Sequence, residues 1–174
     1  MSAPITNDNT QLVPRTDTCG RALEFDFPAV KIGVAEYEEG PTGCTVFFFP
    51  RGAIVDRQGR VVRGNLDRQT GQRHSTAERL ERQISDTGGL GAPGNTTLTV
   101  LVTNRRAGPW CLRQLAKQVH ASMARGIQPF HTVDDGDVLY AVTTSEVVET
   151  ALGDTAMGVI ASELAWDAIL NCLD

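Results

Sequence analysis

The sequence predicts a layered domain of the α/β or α+β class, with helices packed on a sheet. Two observations carry that expectation. From residue 96 onward the hydrophobic pattern runs strand, helix, strand, helix, and before it the pattern is mostly strands. The bulk composition agrees: 174 residues with 41% hydrophobic and 21% charged content suffice for one globular core.

Residues 1–22 read as a loose arm of Asn, Asp, Thr and Pro without periodicity, ahead of a single domain over 23–174. Val30, Ile32 and Val34 alternate with Ala29, Lys31 and Gly33, which predicts a strand reaching Tyr37. Turn residues follow over 38–43, and the apolar run Cys44 to Phe49 then fits a strand buried on both faces. The two runs form a plausible hairpin. A second hairpin is expected where Ala53–Val55 and Val61–Val62 flank Asp56-Arg57-Gln58-Gly59-Arg60. Residues 64–73 read as polar loop.

Ser75-Thr76-Ala77-Glu78 is a capping box, so a short helix should run to about Ile84. A Gly/Pro-rich loop over 86–94 precedes a strand that ends near Thr103. Pro109 opens the clearest helix, with Leu112, Leu115, Ala116, Val119 and Met123 on one face and Gly126 as its stop. Residues 127–132 read as a connection to the acidic turn Val133-Asp134-Asp135-Gly136-Asp137, and Val138–Thr143 as a strand. Asp154-Thr155 is the expected cap of a last helix to about Asn171, with Met157, Ile160, Ala161, Leu164 and Ala168 facing inward.

The net charge of −5 argues against nucleic acid or an anionic membrane as the main partner. Cys19, Cys44, Cys111 and Cys172 form no CxxC pair and read as reduced thiols of a cytoplasmic protein. Residues 1–11 are polar, so no signal peptide is expected, and no apolar run approaches the roughly 20 residues that span a bilayer. His74, His120 and His131 read as isolated, without HExxH spacing, so no metal and no cofactor is expected.

One stretch has chemical potential. Gly94-Asn95-Thr96-Thr97 delivers a hydroxyl to the first position of a strand. A threonine hydroxyl is a weak nucleophile without a base, and cleavage before Thr96 would give it an α-amine with a pKa of about 7.7–8.0. The simpler reading is that Thr-Thr opens a strand. Asp134, Asp135 and Asp137 could orient such an amine, or bind calcium without an EF-hand's full ligand series, or form a solvated acidic turn.

At these residues the chain resembles the self-cleaving N-terminal nucleophile hydrolases of the DmpA/β-aminopeptidase type, and within them the nylon-oligomer (6-aminohexanoate-oligomer) endohydrolases. The resemblance is carried by Phe25-Asp26-Phe27-Pro28, Tyr37 to Gly43, Asp56-Arg57 through Asn65, Gly94 to Thr97, Lys117 to His120, Arg125 to Thr132, and Asp135-Gly136-Asp137. It implies an αββα-type sandwich, cleavage between Asn95 and Thr96, and Thr96 as nucleophile beside Asp135 and Asp137. It also implies a small linear amide or oligomer as substrate, an acyl-enzyme ester, and a homo-oligomer of cleaved or uncleaved chains. The chain departs from the family in fusing Pro50-Arg51-Gly52-Ala53 directly to Ile54-Val55-Asp56. The family's long central segment, with its active-site lysine, tyrosine and asparagine, is absent there, so the sandwich is expected to be incomplete. A β-aminopeptidase or an inactive shortened homologue are the alternatives.

Overall fold

The computed structural model describes residues 31–37, 42–48, 53–85, 96–133, 135–148 and 151–173. The predicted arm, residues 50–52, Asn95 and Asp134 lie outside them, whereas the fusion point between Ala53 and Ile54 falls inside the strand Ala53–Val55. The described elements are β1 (Lys31–Tyr37), β2 (Thr42–Phe48), β3 (Ala53–Val55), β4 (Val61–Arg63), α1 (Thr76–Ser85), β5 (Thr97–Arg105), α2 (Pro109–Ser122), β6 (Ile127–Gln128), β7 (Val138–Val147) and α3 (Asp154–Leu170). Together they make a mixed α/β fold.

Four strands form the larger sheet in the order β1-β2-β5-β7. The first two pairings are antiparallel and β5–β7 is parallel. One row of the register runs Ala35, Cys44, Leu101, Ala141, and it faces the helices. The next row, Val34, Thr45, Val100 and Tyr140, faces away from them. Strand alternation separates the two. On β5 the helix side carries the buried Thr97, Thr99, Leu101 and Thr103, while the far side carries Leu98 and Val102, both exposed. The β2 strand differs from its expectation: Cys44 and Val46 are buried, but Gly43 and Thr45 on its other face are only half-buried.

The helix α3 is apolar nearly all round, because it lies between the sheet strands β1 and β2 and the neighbouring α2. Asp154–Leu173 is consequently long and apolar enough by composition to cross a membrane, contrary to the sequence expectation. Its interspersed Asp154, Glu163 and Asp167 hide that in the sequence, and most of the stretch is buried in the fold as a core helix. Its N-cap is Gly153 without a side-chain bond, not the expected Asp154. Asp154 instead sits in the first turn, where a carboxylate suits the helix dipole, and pairs with Arg105 at 2.7 Å.

On the predicted face of α2, Leu115 and Val119 are buried, as is Met123 in the 3-10 turn that follows, while Leu112 and Ala116 are half-buried. At α1 the capping box is reciprocal: Glu78 N donates to Ser75 Oγ (3.2 Å) and Ser75 N donates to Glu78 Oε2 (2.8 Å). A small second sheet, β4-β3-β6, contains a strand the sequence hides, since β6 is two residues of the expected connection. The turn between β3 and β4 is closed by Asp56, whose Oδ1 accepts from Gln58 N and Arg60 N, both at 2.9 Å. Cys44, Cys111 and Cys172 are free thiols. Burial, with Cys172 nearby, pushes the Cys44 thiol up to about 12, which makes it inert.

Candidate active site

Parallel pairing builds the site. Leu98 lies opposite Val138, so the residues that lead into β5 and β7 arrive side by side at one edge of the sheet. Stepping back along both chains sets Thr97 beside Asp137 and Thr96 beside Gly136. The contacts agree. Thr97 N donates to Asp137 Oδ1 at 2.6 Å. A Cβ built on Gly136 would lie 3.2 Å from Thr96 Oγ1 and 3.7 Å from its Cγ2. Glycine therefore lets the backbone before β7 approach the Thr96 hydroxyl closely.

Asp137 is buried, and both of its oxygens are used. The second, Oδ2, accepts from His131 N at 2.9 Å. That bond holds His131 in the left-handed region, at a φ of 52°. The carboxylate is thus a clamp between the start of β5 and the loop that follows β6. Asp135 has a different task. Its Oδ2 accepts from Thr132 N (2.9 Å) and Thr132 Oγ1 (2.8 Å), and its own N–H donates to Thr132 O at 3.1 Å. Of the two predicted carboxylates, Asp137 grips the backbone beside Thr96 and Asp135 closes the neighbouring turn.

The histidines are not isolated, which corrects the sequence reading. The His120 ring, in the last turn of α2, stands 4.8 Å from Phe130 and meets His131 edge-on at 4.5 Å between centroids. A 3-10 turn (Met123–Arg125) and β6 fold the chain back between them, and no spacing rule in the sequence reveals that return. Burial lowers the pKa of His120, and His131 lowers it further; the charge and backbone of Asp137 act the other way. Among the described residues no group of three or more His, Cys, Asp or Glu side chains has the arrangement of a metal site.

The family model for peptidase family S58 matches residues 57–173, a stretch that holds the clamp, the Thr96 edge and both sheets' later strands. The chain belongs to peptidase family S58. Within this set of relatives, it is 51% identical over 133 residues to a 6-aminohexanoate-oligomer endohydrolase of Paenarthrobacter ureafaciens, covering 70% of this chain and 38% of that protein. It is 32% identical over 119 residues to an uncharacterized aminopeptidase of Mycobacterium leprae, covering 67% of this chain and 33% of that one. A solved structure, the PH0078 protein from Pyrococcus horikoshii OT3, overlays with a TM-score of 0.46 at 20% identity, over 83% of this chain and 39% of that chain. The chain spans less than half the length of these relatives.

Sequence reasoning missed Gly136, His120 and His131 as parts of the site. The signal for Gly136 was present in Asp135-Gly136-Asp137, read only as a tight turn. Nothing in the sequence alone gives the β5–β7 register that aims it at Thr96.

Proposed function

We propose that this chain is an amide hydrolase that cleaves itself between Asn95 and Thr96 and then uses Thr96 as its nucleophile on 6-aminohexanoate oligomers or related linear amides. The observation that carries this reading is the Thr96 hydroxyl lying against Gly136 with the Asp137 clamp on the next residue, in a chain of family S58. The clamp fixes the peptide after Thr96, so the hydroxyl has a defined origin.

In the self-cleavage, Thr96 Oγ attacks the Asn95 carbonyl carbon. The Oγ proton passes to the Thr96 nitrogen as the C–N bond breaks, which frees the Thr96 amine, and water hydrolyses the resulting ester. In turnover that amine takes the Oγ proton as Oγ attacks the substrate carbonyl. The proton passes to the departing amine, and water hydrolyses the acyl ester. Asp135 holds the adjoining loop turn in this scheme.

The αββα layering belongs to the same proposal. The outer sheet face presents Val34 at 53% and Tyr140 at 59% exposure, with Leu98, Val102 and Val142 around them. An apolar face of this kind suits a second sheet packed upon it. Oligomerisation is proposed on the same resemblance, and the free thiols of Cys44, Cys111 and Cys172 fit a cytoplasmic setting.

The test is an intact-mass spectrum of purified protein with a turnover assay on a 6-aminohexanoate oligomer. Fragments 1–95 and 96–174, both lost in Thr96→Ala together with turnover, support the reading. A single uncut chain indistinguishable from Thr96→Ala would sink it and leave the inactive, shortened homologue. The aminopeptidase name of the Mycobacterium leprae relative favours one second reading. Preference for a free-amine dipeptide over an amine-blocked oligomer would select it.

A further inference from the structure

Behind the clamp lies a half-buried titratable group with no role so far. His120 reaches from α2 to the loop that carries Asp137, touching Phe130 and His131 with its ring, with the Asp137 backbone beside it. Its Nε2 is buried and has no partner. Neither Asp137 carboxylate oxygen is within hydrogen-bond distance of it: Oδ1 holds the Thr97 amide and Oδ2 holds the His131 amide. A continuous path thus runs from α2 through His120 and Asp137 to the residue beside Thr96.

We propose that His120 is a positioning residue for Thr96: its neutral ring holds the Asp137 turn against the start of β5, and uptake of one proton loosens that hold. The functional meaning rests on the reading of Thr96 given above, while the geometry can be tested apart from it. An imidazolium carries an N–H on both nitrogens, so a proton from solvent makes Nε2–H a buried donor without an acceptor. Relief requires that the ring or the Asp137 turn move until an acceptor or water reaches Nε2. Among the described residues the titratable groups facing His120 are His131 and Asp137, both on the loop. Lys117, on the same helix, is exposed. The Asp137 charge favours the protonated ring, and burial and His131 disfavour it, with disfavour prevailing. Phe130 packs on the ring and offers no acceptor.

The experiment is an NMR titration of the isotope-labelled full chain from about pH 8 to 5, across the ordinary histidine value. It follows the His120 ring and the Thr97 and His131 amides. The expected result is that both amides shift with the His120 midpoint, below the ordinary value of about 6.5. In His120→Phe, which keeps the ring contacts but neither bonds nor titrates, that shift should vanish. Thr97 amide exchange should then speed up on the order of tenfold or more. His120→Asn, which retains a short donor for the Asp137 backbone, should restore protection without restoring the pH dependence.

Amides that do not co-titrate with His120 in the unaltered chain overturn the proposal, even if a variant fails to fold. So does a Thr97 amide equally protected in His120→Phe. Cleavage at Asn95/Thr96 and oligomer turnover are read in the same samples. If the unaltered chain does neither at any pH, the reading of Thr96 fails, and the amide titration still decides the role of His120. If it does both, kcat should fall on the acid side with the His120 midpoint while KM stays put, and His120→Asn should flatten that limb.

Discussion

Asp137 accepts the Thr97 amide proton at 2.6 Å across forty residues of sequence. The bond extends the parallel β5–β7 register past its last ladder pair, Leu98 with Val138. It turns a sheet edge into a fixed start point for Thr96. Helices packed on one face alone would not do this, because the edge is set by strand register and the register by the inward-facing row Ala35, Cys44, Leu101 and Ala141. A slip of one residue would turn that row outward.

Gly136→Ala tests the close approach. The added Cβ would stand 3.2 Å from Thr96 Oγ1, tighter than ordinary contact, so the hydroxyl must give by a few tenths of an ångström. The backbone at Gly136 needs no left-handed conformation, so the fold should hold with little change in melting temperature. Self-cleavage and turnover should drop by about 10- to 100-fold, given that a misplacement of about 1 Å can cost about 10². Equal cleavage rates for Gly136→Ala and the unaltered chain, measured by mass spectrometry over time, would show that the hydroxyl has room to spare.

Asp137→Asn separates charge from shape. Both oxygens accept from backbone N–H groups, so an amide leaves one donor facing its own N–H. The expected cost is about 1–3 kcal/mol of stability for a buried donor left unpaired. Cleavage should fall as well. Denaturant unfolding checks the first, and a loss under half a kilocalorie (about the surface norm) would mean that the clamp is not maintained in solution.

Leu115→Ala tests the α2 face read from the sequence. Leu115 is 6% exposed within the core, so truncation should cost about 2–5 kcal/mol. Leu112→Ala, at a half-buried position on the same helix, should cost less. Equal losses at the two positions in urea unfolding would indicate that the helix is rotated.

Local features were legible because their causes are local. The Ser75–Glu78 box, the β1–β2 hairpin and the α2 stripe each follow from residues within a few positions of each other. The strand β7 was read short, since outward-facing Thr144 and Glu146 look like loop until their inward neighbours Ser145 and Val147 are placed. β6 escaped because two residues carry no period. His120 and His131 looked separate because a 3-10 turn and β6 bring them together. Thr96, Asp135 and Asp137 were singled out by resemblance, but the split of tasks between the two carboxylates needed the β5–β7 register.

Trp166 links the small sheet to α3. Its Nε1 donates to Val55 O at 3.1 Å, and the Arg57 and Arg125 guanidiniums lie over its ring at 5.0 and 4.6 Å from the centroid. Arg57 also pairs with Glu163 and with Asp167. Trp166→Phe keeps a ring for the cations but loses the indole donor. It should cost about 1–2 kcal/mol, most of it from the unpaired Val55 carbonyl. Chemical unfolding followed by circular dichroism is the check, and an unchanged midpoint would mean water replaces the indole at no cost.

Acid should weaken the fold in two separate steps. His120 has a lowered pKa, chiefly from burial and then from His131. Its unfolded form, at an ordinary value of about 6.5, takes up a proton first, so stability is whole above that pH and is lost as pH falls through the folded value. Glu163 behaves as a paired carboxylate. Burial alone would raise its pKa, but hydrogen bonds from Arg57 and Arg125 outweigh burial and lower it. Its contribution is whole above the ordinary glutamate value of about 4.3 and is lost as pH falls through the folded one. Melting temperature against pH should therefore show an upper step beginning near 6.5 and a lower one beginning near 4.3. His120→Phe should remove only the upper step, and Glu163→Gln should reduce only the lower. A single acid transition unaffected by His120→Phe would show that the ring is already protonated or already exposed in the folded chain.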